Sequence, residues 1–542
     1  MTAQRERSEI LAEARSWLES FRRLESRAVA YGDSGEHGAA AAVVQMAADL
    51  AWHNPTGLFA SAKLEALLRD IADQLQPEQG TDLEVFDGGN YSGDPEHVLH
   101  VLTTASSGFG PQWLARRWIE RDSGRRHSVA LTRQGSDAVP GELIDTLALS
   151  GGHLHRVDDQ PGTLIDRALR LRGLCLDADA IVLHILPCDV VPLLAFGGSF
   201  PGPPVLYLNH SDQVFWLGAG ASNVIVNLRR EATRLCRERR ALTGSHQVLL
   251  PLPVEPGEPA ADRAELRASL DLPVDELILL TVAPAWRFAS VGPFNMMAEM
   301  ADFLSEREGI RLVAIGPRDD ERWRAARLSS GDRITLLDMP EDLTPWYQSA
   351  DIYLDSYPLT SLTSMLEAIS FGVPALGFAP AELSGRTLFA DDPALLPEHY
   401  LSTTRDDYLE RLLYLCDDRR EREAVATLQR RRVLSVHDGV SWSQSLDQAY
   451  EAAAENAPRP PVEAADKPKY EDIDWLLTEI HRRTGMTRSY AEIVRRHMRL
   501  LPGGARLRAF FACLLRGAWP GLGSLRREMP GDWSSRLVPE DA

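Results

Sequence analysis

A short apolar run, Ile352-Tyr353-Leu354, gives way to the hydroxyl-rich stretch from Asp355 to Ser364 and then to a helical pattern, Leu366, Ile369 and Ser370, that stops at Gly372 and Pro374. Strand, loop and helix in that order form one βα unit. A helix N-terminus carries unpaired N–H groups and the positive end of the helix dipole, so it holds a phosphate well. Thr360, Ser361 and Leu362 lead into the helix, and Thr363 and Ser364 add side-chain donors where it opens. Glu367 lies one turn further on the same face, where a carboxylate can bind a ribose diol. The plainer alternative is an ordinary strand–loop–helix turn in which Ser and Thr only cap the helix.

The rest of the chain repeats this alternation. Residues 1 to about 80 read as helices: Leu11, Ala14, Trp17 and Leu18 recur at helical spacing, as do Ala42, Val43, Met46, Ala47 and Leu50. The stretch Asp87 to Asp94 is polar, Gly-rich and linker-like. Strands are expected at His97–Leu102, Ser128–Leu131, Ala180–His184 and Val205–Leu208, with a helix from Gln112 to Glu120. Val248 to Val254 leads into a Pro/Glu-rich join. A second alternating unit follows, with strands at Leu277–Val282, Arg311–Gly316, Ile334–Leu337 and Ile352–Leu354. Strands alternating with helices imply parallel, doubly wound sheets and an α/β fold.

At 542 residues the chain exceeds one core, so about two to four domains are expected. A net charge of −20 argues against general nucleic-acid binding and suits an enzyme acting on small molecules. Five scattered cysteines make no C-x-x-C pair, which indicates neither zinc nor a disulfide framework and fits a reducing cytoplasm. The first residues lack an apolar signal region, and no run is long and apolar enough to span a bilayer.

The segment from Asp355 to Pro374 resembles the nucleotide-sugar site of GT-B glycosyltransferases. There an acid stands at the position of Glu367, followed by Ala and then Gly-x-Pro, here Ala368 and Gly372-Val373-Pro374. Asp355, twelve residues earlier, with the Thr363-Ser364 pair between, resembles the O-GlcNAc transferase branch. The retaining, family 4-like branch carries a second acid eight residues before Glu367. Leu359 stands there instead, so that match is partial. The resemblance covers roughly residues 95 to 452 and implies two Rossmann-like domains facing across a cleft, with helical additions at both ends. It divides the chain into a helical accessory domain (1–86), an acceptor-side domain (95–252), a nucleotide-sugar domain (253–452) and a helical extension (469–542). The segment from Trp442 to Tyr450 is similar to the last helix of the second half.

The resemblance also implies roles for several strand-end loops. Gly108, Phe109 and Gly110 would lie beside the donor phosphates, and Leu337 and Met339 would border the base. Arg287, after strand Leu277–Val282, matches the family's basic residue, and its planar fork suits a diphosphate. The family's Lys a few positions later is missing; Ser290, Val291 and Gly292 occupy that region.

On the facing half, His210 and Asp212 follow strand Val205–Leu208 and form a candidate proton-transfer pair, with Asn209 placed to orient the His. The alternative is a His that satisfies a loop carbonyl. His184, also at a strand end, is a lesser candidate. Asp351 and Asp355 share a strand face but lack a third ligand, so no metal site is expected. Near the C-terminus, Leu507, Phe510, Phe511, Leu514 and Leu515 share one helix face between Arg-rich flanks. That face suits either burial on the body or a second subunit, or contact with anionic lipid.

Together these readings imply a cytoplasmic, metal-independent glycosyltransferase. It needs no cofactor beyond its donor, a nucleoside-diphosphate sugar, UDP-sugar foremost. Its partners are that donor and an acceptor (protein, peptide, glycan or small molecule), without nucleic acid; peripheral membrane contact through the C-terminal helix and a homo-oligomer stay open. A nucleotide-sugar epimerase on the same fold and a non-catalytic GT-B-like partner subunit are the alternatives.

Overall fold

The computed structural model describes residues 2–75, 91, 93–106, 110–242, 244–292, 294–317, 320–380, 391–396, 400–456, 467–515 and 525. Gly108 and Phe109, Arg318 and most of the stretch Asp87 to Asp94 lie outside the described residues.

Within the described residues the first sheet holds β1 (His97–Leu102), β2 (Arg126–Leu131), β3 (Leu154–Arg156), β4 (Ala180–His184), β5 (Val205–Asn209), β6 (Val224–Asn227) and β7 (Gln247–Leu249). The second holds β8 (Leu277–Val282), β9 (Ile310–Ile315), β10 (Ile334–Leu337), β11 (Ile352–Leu354), β12 (Ala375–Phe378) and β13 (Leu401–Ser402). Every pairing is parallel, in the orders β3-β2-β1-β4-β5-β6-β7 and β10-β9-β8-β11-β12-β13. Parallel strands need crossover helices and lie buried on both faces, and β1 is buried along its whole length, its two histidines included. Strand order reverses between β1 and β4 and again between β8 and β11. Ligands of open α/β sheets bind outside the strand ends at such reversals.

Sequence and structure agree on β1, β4, β8, β10 and β11 to the residue. The sequence pattern does not mark β3, β6, β7, β12 and β13, all short; β7 falls where the join between the two units begins. A larger difference concerns the helix Gly439–Glu455, read as closing the second unit. Its apolar stripe of Trp442, Leu446, Ala449 and Tyr450 packs on the first sheet instead, against Val98, Val182, Leu206 and Val226. Trp442 Nε1 donates to Pro251 O at 2.9 Å, and Trp118 Nε1 donates to Tyr450 Oη at 3.0 Å. An amphipathic stripe shows that a face is buried without naming the sheet that covers it.

The opposite face of the first sheet carries the helices of both chain ends. Helices Thr2–Asp33, His37–His53 and Ala62–Asp73 share one core with Leu99, Val101, Ile181 and Leu183, and helices Tyr490–His497 and Gly503–Leu515 join it. The middle helix is buried almost throughout, because Ala39 to Ala42, Ala47 and Ala48 let neighbours approach closely. In the last helix Ala505, Ala509 and Phe510 face inward, whereas Leu507, Phe511 and Leu515 are exposed. Among the described residues no helix is long and apolar enough to cross a membrane. The second sheet has its own cores: Leu279, Leu312, Leu354 and Phe378 on one face, and Leu280, Val282, Tyr353 and Leu366 on the other.

Candidate functional site

The loop after β11 is drawn together by one carboxylate. Asp355 accepts hydrogen bonds from Ser356 N at 2.9 Å, Ser361 N at 2.8 Å and Thr360 Oγ1 at 2.6 Å. Ser356 Oγ donates to Leu359 O at 2.7 Å. Burial pushes the Asp355 carboxyl up to about 6 against the pull of those donors. The coil delivers the chain to the helix Leu362–Ser370, whose N-terminal residue Ser361 makes no side-chain cap. The first-turn N–H groups of Leu362, Thr363 and Ser364 therefore have no intrahelical acceptor. All three residues line a cleft of about 550 Å³ between the two sheets' strand ends.

Glu367 sits one turn in, half-buried, and accepts from Tyr347 Oη at 3.0 Å. Arg117, from the helix Pro111–Arg121 of the first unit, reaches across to 3.7 Å from its carboxylate and bonds Glu255 at 2.6 Å. Burial raises the Glu367 pKa, and Arg117 opposes that rise. Met339 lines the cleft; Glu367 and Leu337 are not among its lining residues. The Leu337 carbonyl is taken by Gly316 N at 2.8 Å.

Arg287 ends a single 3-10 turn, Ala285–Arg287, just past β8. Its guanidinium donates to Thr360 O and lies 4.5 Å from the centre of the Trp286 ring. Burial pulls its pKa down to about 10 against the opposing charge of Asp355, so it stays charged at neutral pH. Thr360, Ser361, Leu362, Thr363, Ser364 and Arg287 thus share one wall of the cleft.

The facing wall comes from the loop after β5. His210 and Asp212 both line the cleft, as does Gly110 at the start of the helix Pro111–Arg121. His210 Nε2 donates to Ile185 O at 2.9 Å, which leaves Nδ1 to accept from Ser211 Oγ at 3.0 Å. Burial lowers its pKa, so the ring is neutral. The Asp212 carboxylate takes both arms of the buried Arg229 guanidinium, at 2.7 and 2.9 Å. Asn209 does not orient His210; its amide donates to Asn227 Oδ1 at 2.8 Å.

His184 joins a buried chain of imidazoles. His127 Nε2 donates to Asp122 O at 2.9 Å, which sets the tautomers in turn: His100 Nε2 donates to His127 Nδ1 at 3.0 Å, and His184 Nε2 to His100 Nδ1 at 2.9 Å. Burial holds all three neutral, His184 down to about 3. His184 does not line the cleft.

The helical ends supply lining that the sequence reading missed. Trp52 comes from the helix His37–His53, Leu477 and His481 from the helix Asp472–Thr484, and Met486 follows that helix. The only sequence signal was helical spacing, which marks a buried face and no site.

No family model matches the chain, and no curated relative matches it. Solved structures do. HepE of Anabaena, in complex with UDP and glucose, is 13% identical; the match covers 65% of this chain and 98% of that one, with a TM-score of 0.51. A glycosyltransferase from Rickettsia africae is 11% identical over 67% of this chain and 100% of that one, with a TM-score of 0.50. An O-GlcNAc transferase of Thermobaculum terrenum is 19% identical, covering 82% and 83% of the two chains with a TM-score of 0.47. Two parallel sheets in this order, with a cleft at their facing strand ends, define the GT-B fold. The chain has that fold, shared with glycosyltransferases of known structure.

Proposed function

We propose that the protein is a glycosyltransferase that moves a sugar from a nucleoside diphosphate, UDP foremost, to an acceptor hydroxyl. One observation carries the reading: the open N-terminus of the helix Leu362–Ser370, the Arg287 guanidinium and the Thr363 and Ser364 side chains converge on one cleft wall. Negative charge grows on the leaving diphosphate in the transition state, and donors fixed in advance around it lower the barrier. Asp355 already takes the Thr360 hydroxyl and the Ser361 N–H, so the groups left for phosphate oxygens are the first-turn N–H groups, the Thr363 hydroxyl and Arg287. Glu367, oriented by Tyr347, holds the ribose, and Met339 borders the base. The two complexed states of HepE, with UDP and glucose and with UDP-glucose, support a nucleotide-sugar donor for this fold.

On the opposite wall His210 is pinned between Ile185 and Ser211, and Asp212 is neutralised by Arg229. Both hold the shape of that wall in this reading, and neither exchanges a proton. The chemistry needs no metal, since arginine and helix N–H groups meet the diphosphate charge.

Calorimetry against UDP, GDP and ADP tests the donor site, and release of nucleoside diphosphate from the matching sugar nucleotides tests turnover. Binding of none of them would overturn the reading. Activity should persist in EDTA, and complete loss there would overturn the metal-free form of it.

A further inference from the structure

Of the imidazole and carboxylate side chains that line the cleft, among the described residues, His481 alone keeps an acceptor atom with no partner. His210 uses both ring nitrogens, and Asp212 is held by Arg229. His481 Nδ1 donates to His53 O at 2.7 Å, a carbonyl that can only accept, so the proton sits on Nδ1 and Nε2 carries a bare lone pair. The ring is nearly fully buried and yet lines the cleft. Burial pulls its pKa down to about 4, which keeps that lone pair available at neutral pH.

The helix that bears it, Asp472–Thr484, bridges both units. Ile473, Leu476, Leu477 and Ile480 pack on Phe59 and Leu235 of the first-sheet side and on Ala289, Val291 and Leu359 of the second. It closes the flank of the cleft beside the Ala285–Arg287 turn. Donor-binding groups occupy the wall built on the second sheet, which leaves for an acceptor the wall of the β5 loop and the side formed by Trp52, Leu477, His481 and Met486. Three of these are apolar or aromatic. Flat, weakly polar faces such as those of pyranose and aryl rings lie well against such side chains.

We propose that this helix completes the acceptor subsite: His481 Nε2 accepts the hydrogen bond of the attacking hydroxyl, while Trp52, Leu477 and Met486 pack on the ring that carries it. The inference rests on the glycosyltransferase reading. In the transfer step the hydroxyl oxygen bonds to the anomeric carbon, the bond from that carbon to the β-phosphate oxygen breaks, and its electron pair stays on the diphosphate. The hydroxyl proton passes to His481 Nε2 and then to water. The attacking oxygen becomes strongly acidic as its bond to carbon forms, so a weak base suffices late in the step.

Two substitutions separate this role from a structural one. In His481→Asn the amide nitrogen stands where Nδ1 stood, keeping the bond to the His53 carbonyl and deleting the cleft acceptor. In His481→Gln an acceptor oxygen reaches toward the Nε2 position. The full chain is assayed with its nucleotide sugar for hydrolysis by water and for transfer to the probe p-nitrophenyl β-D-glucopyranoside. The expected result is a fall of about a hundredfold in transfer kcat for His481→Asn, with nucleoside diphosphate affinity unchanged. His481→Gln should recover part of the loss, and Met486→Glu should raise the probe KM. Transfer by His481→Asn at the wild-type rate, or a loss of nucleoside diphosphate affinity as large as the fall in transfer, would overturn the proposal. So would a wild type that hydrolyses donor but glycosylates no aryl glycoside. A wild type that neither binds nor cleaves any nucleotide sugar fails the underlying reading as well, a signature distinct from the others.

Discussion

Single side chains decide whether this cleft is a donor site. Glu367 is half-buried and poised between Tyr347 and Arg117. Its replacement by Ala should weaken nucleoside diphosphate binding by about 1.5–3 kcal/mol, the range for a hydrogen bond to a charged group. Calorimetry with UDP showing unchanged affinity would remove its ribose role. Arg287 has two tasks, holding the Thr360 carbonyl and facing the diphosphate, and no lysine follows it to share the second. Arg287→Ala should therefore cost most of the turnover. Arg287→Lys should rescue little, because an ammonium cannot copy the planar fork. A normal steady-state rate for Arg287→Ala would place the countercharge elsewhere. His210 shows how far residue type alone carries a reading. A histidine at a strand end was legible as a cleft residue, and it is one; which of its nitrogens is spoken for depends on the Ile185 carbonyl, a backbone atom that no pattern of side chains reports.

Among elements, the unit from β11 to the helix Leu362–Ser370 was readable because an apolar strand, a hydroxyl-rich turn and a Gly-Pro stop each leave a distinct local signature. β13, of two residues, leaves too short a pattern to distinguish from a loop. The helix Gly439–Glu455 was visible, its partner sheet was not, since the chain crosses back to the first unit at Asp438. Just before that crossing His437 is fully buried, with Nδ1 donating to Leu252 O at 2.7 Å and Nε2 to Asp392 Oδ1 at 2.8 Å. It thereby fastens the other interdomain strand of chain to the second unit. Burial alone would lower its pKa, but the Asp392 charge and the two hydrogen bonds outweigh it and hold the ring above its ordinary value. A folded-state pKa above the unfolded one means that the pair's contribution is complete below about pH 6.5 and is lost as pH rises through the folded value. The denaturation midpoint of the wild type should therefore decline above pH 6.5 more than that of His437→Gln. Parallel pH profiles for the two would show that the pair does not couple to folding.

At the scale of the whole molecule, the two chain ends belong to the first sheet's core, and their junction is a buried polar cluster. Asp49, on the helix His37–His53, is fully buried and accepts from His497 Nε2 at 2.7 Å, with His53 Nδ1 at 3.0 Å and Arg496 at 3.7 Å. Burial would raise its pKa, but the bond from His497 and the close approach of His53, whose Nδ1 donates to the Asp49 backbone carbonyl, outweigh burial and hold it well below the carboxylate range. His497 in turn engages Gln45 through Nδ1 at 3.3 Å. Removing the carboxylate in Asp49→Ala strands buried donors, at a cost of about 1–3 kcal/mol. That loss falls on the unit formed by both ends and the seven-stranded sheet, because the six-stranded sheet has separate cores. Hydrogen exchange followed by mass spectrometry should show peptides from His37–His53, Tyr490–His497 and β1 exchanging roughly ten- to a hundredfold faster, while β8 and β9 keep their wild-type rates. Equal acceleration in both sheets would mean that the chain opens as one cooperative body. Exchange confined to Tyr490–His497 would mean that this end docks on the sheet without being part of its folding unit. Trp52 and His481 line the cleft from these same ends, so the first outcome would tie the stability of the proposed acceptor side to the first sheet and leave the donor helix independent of it.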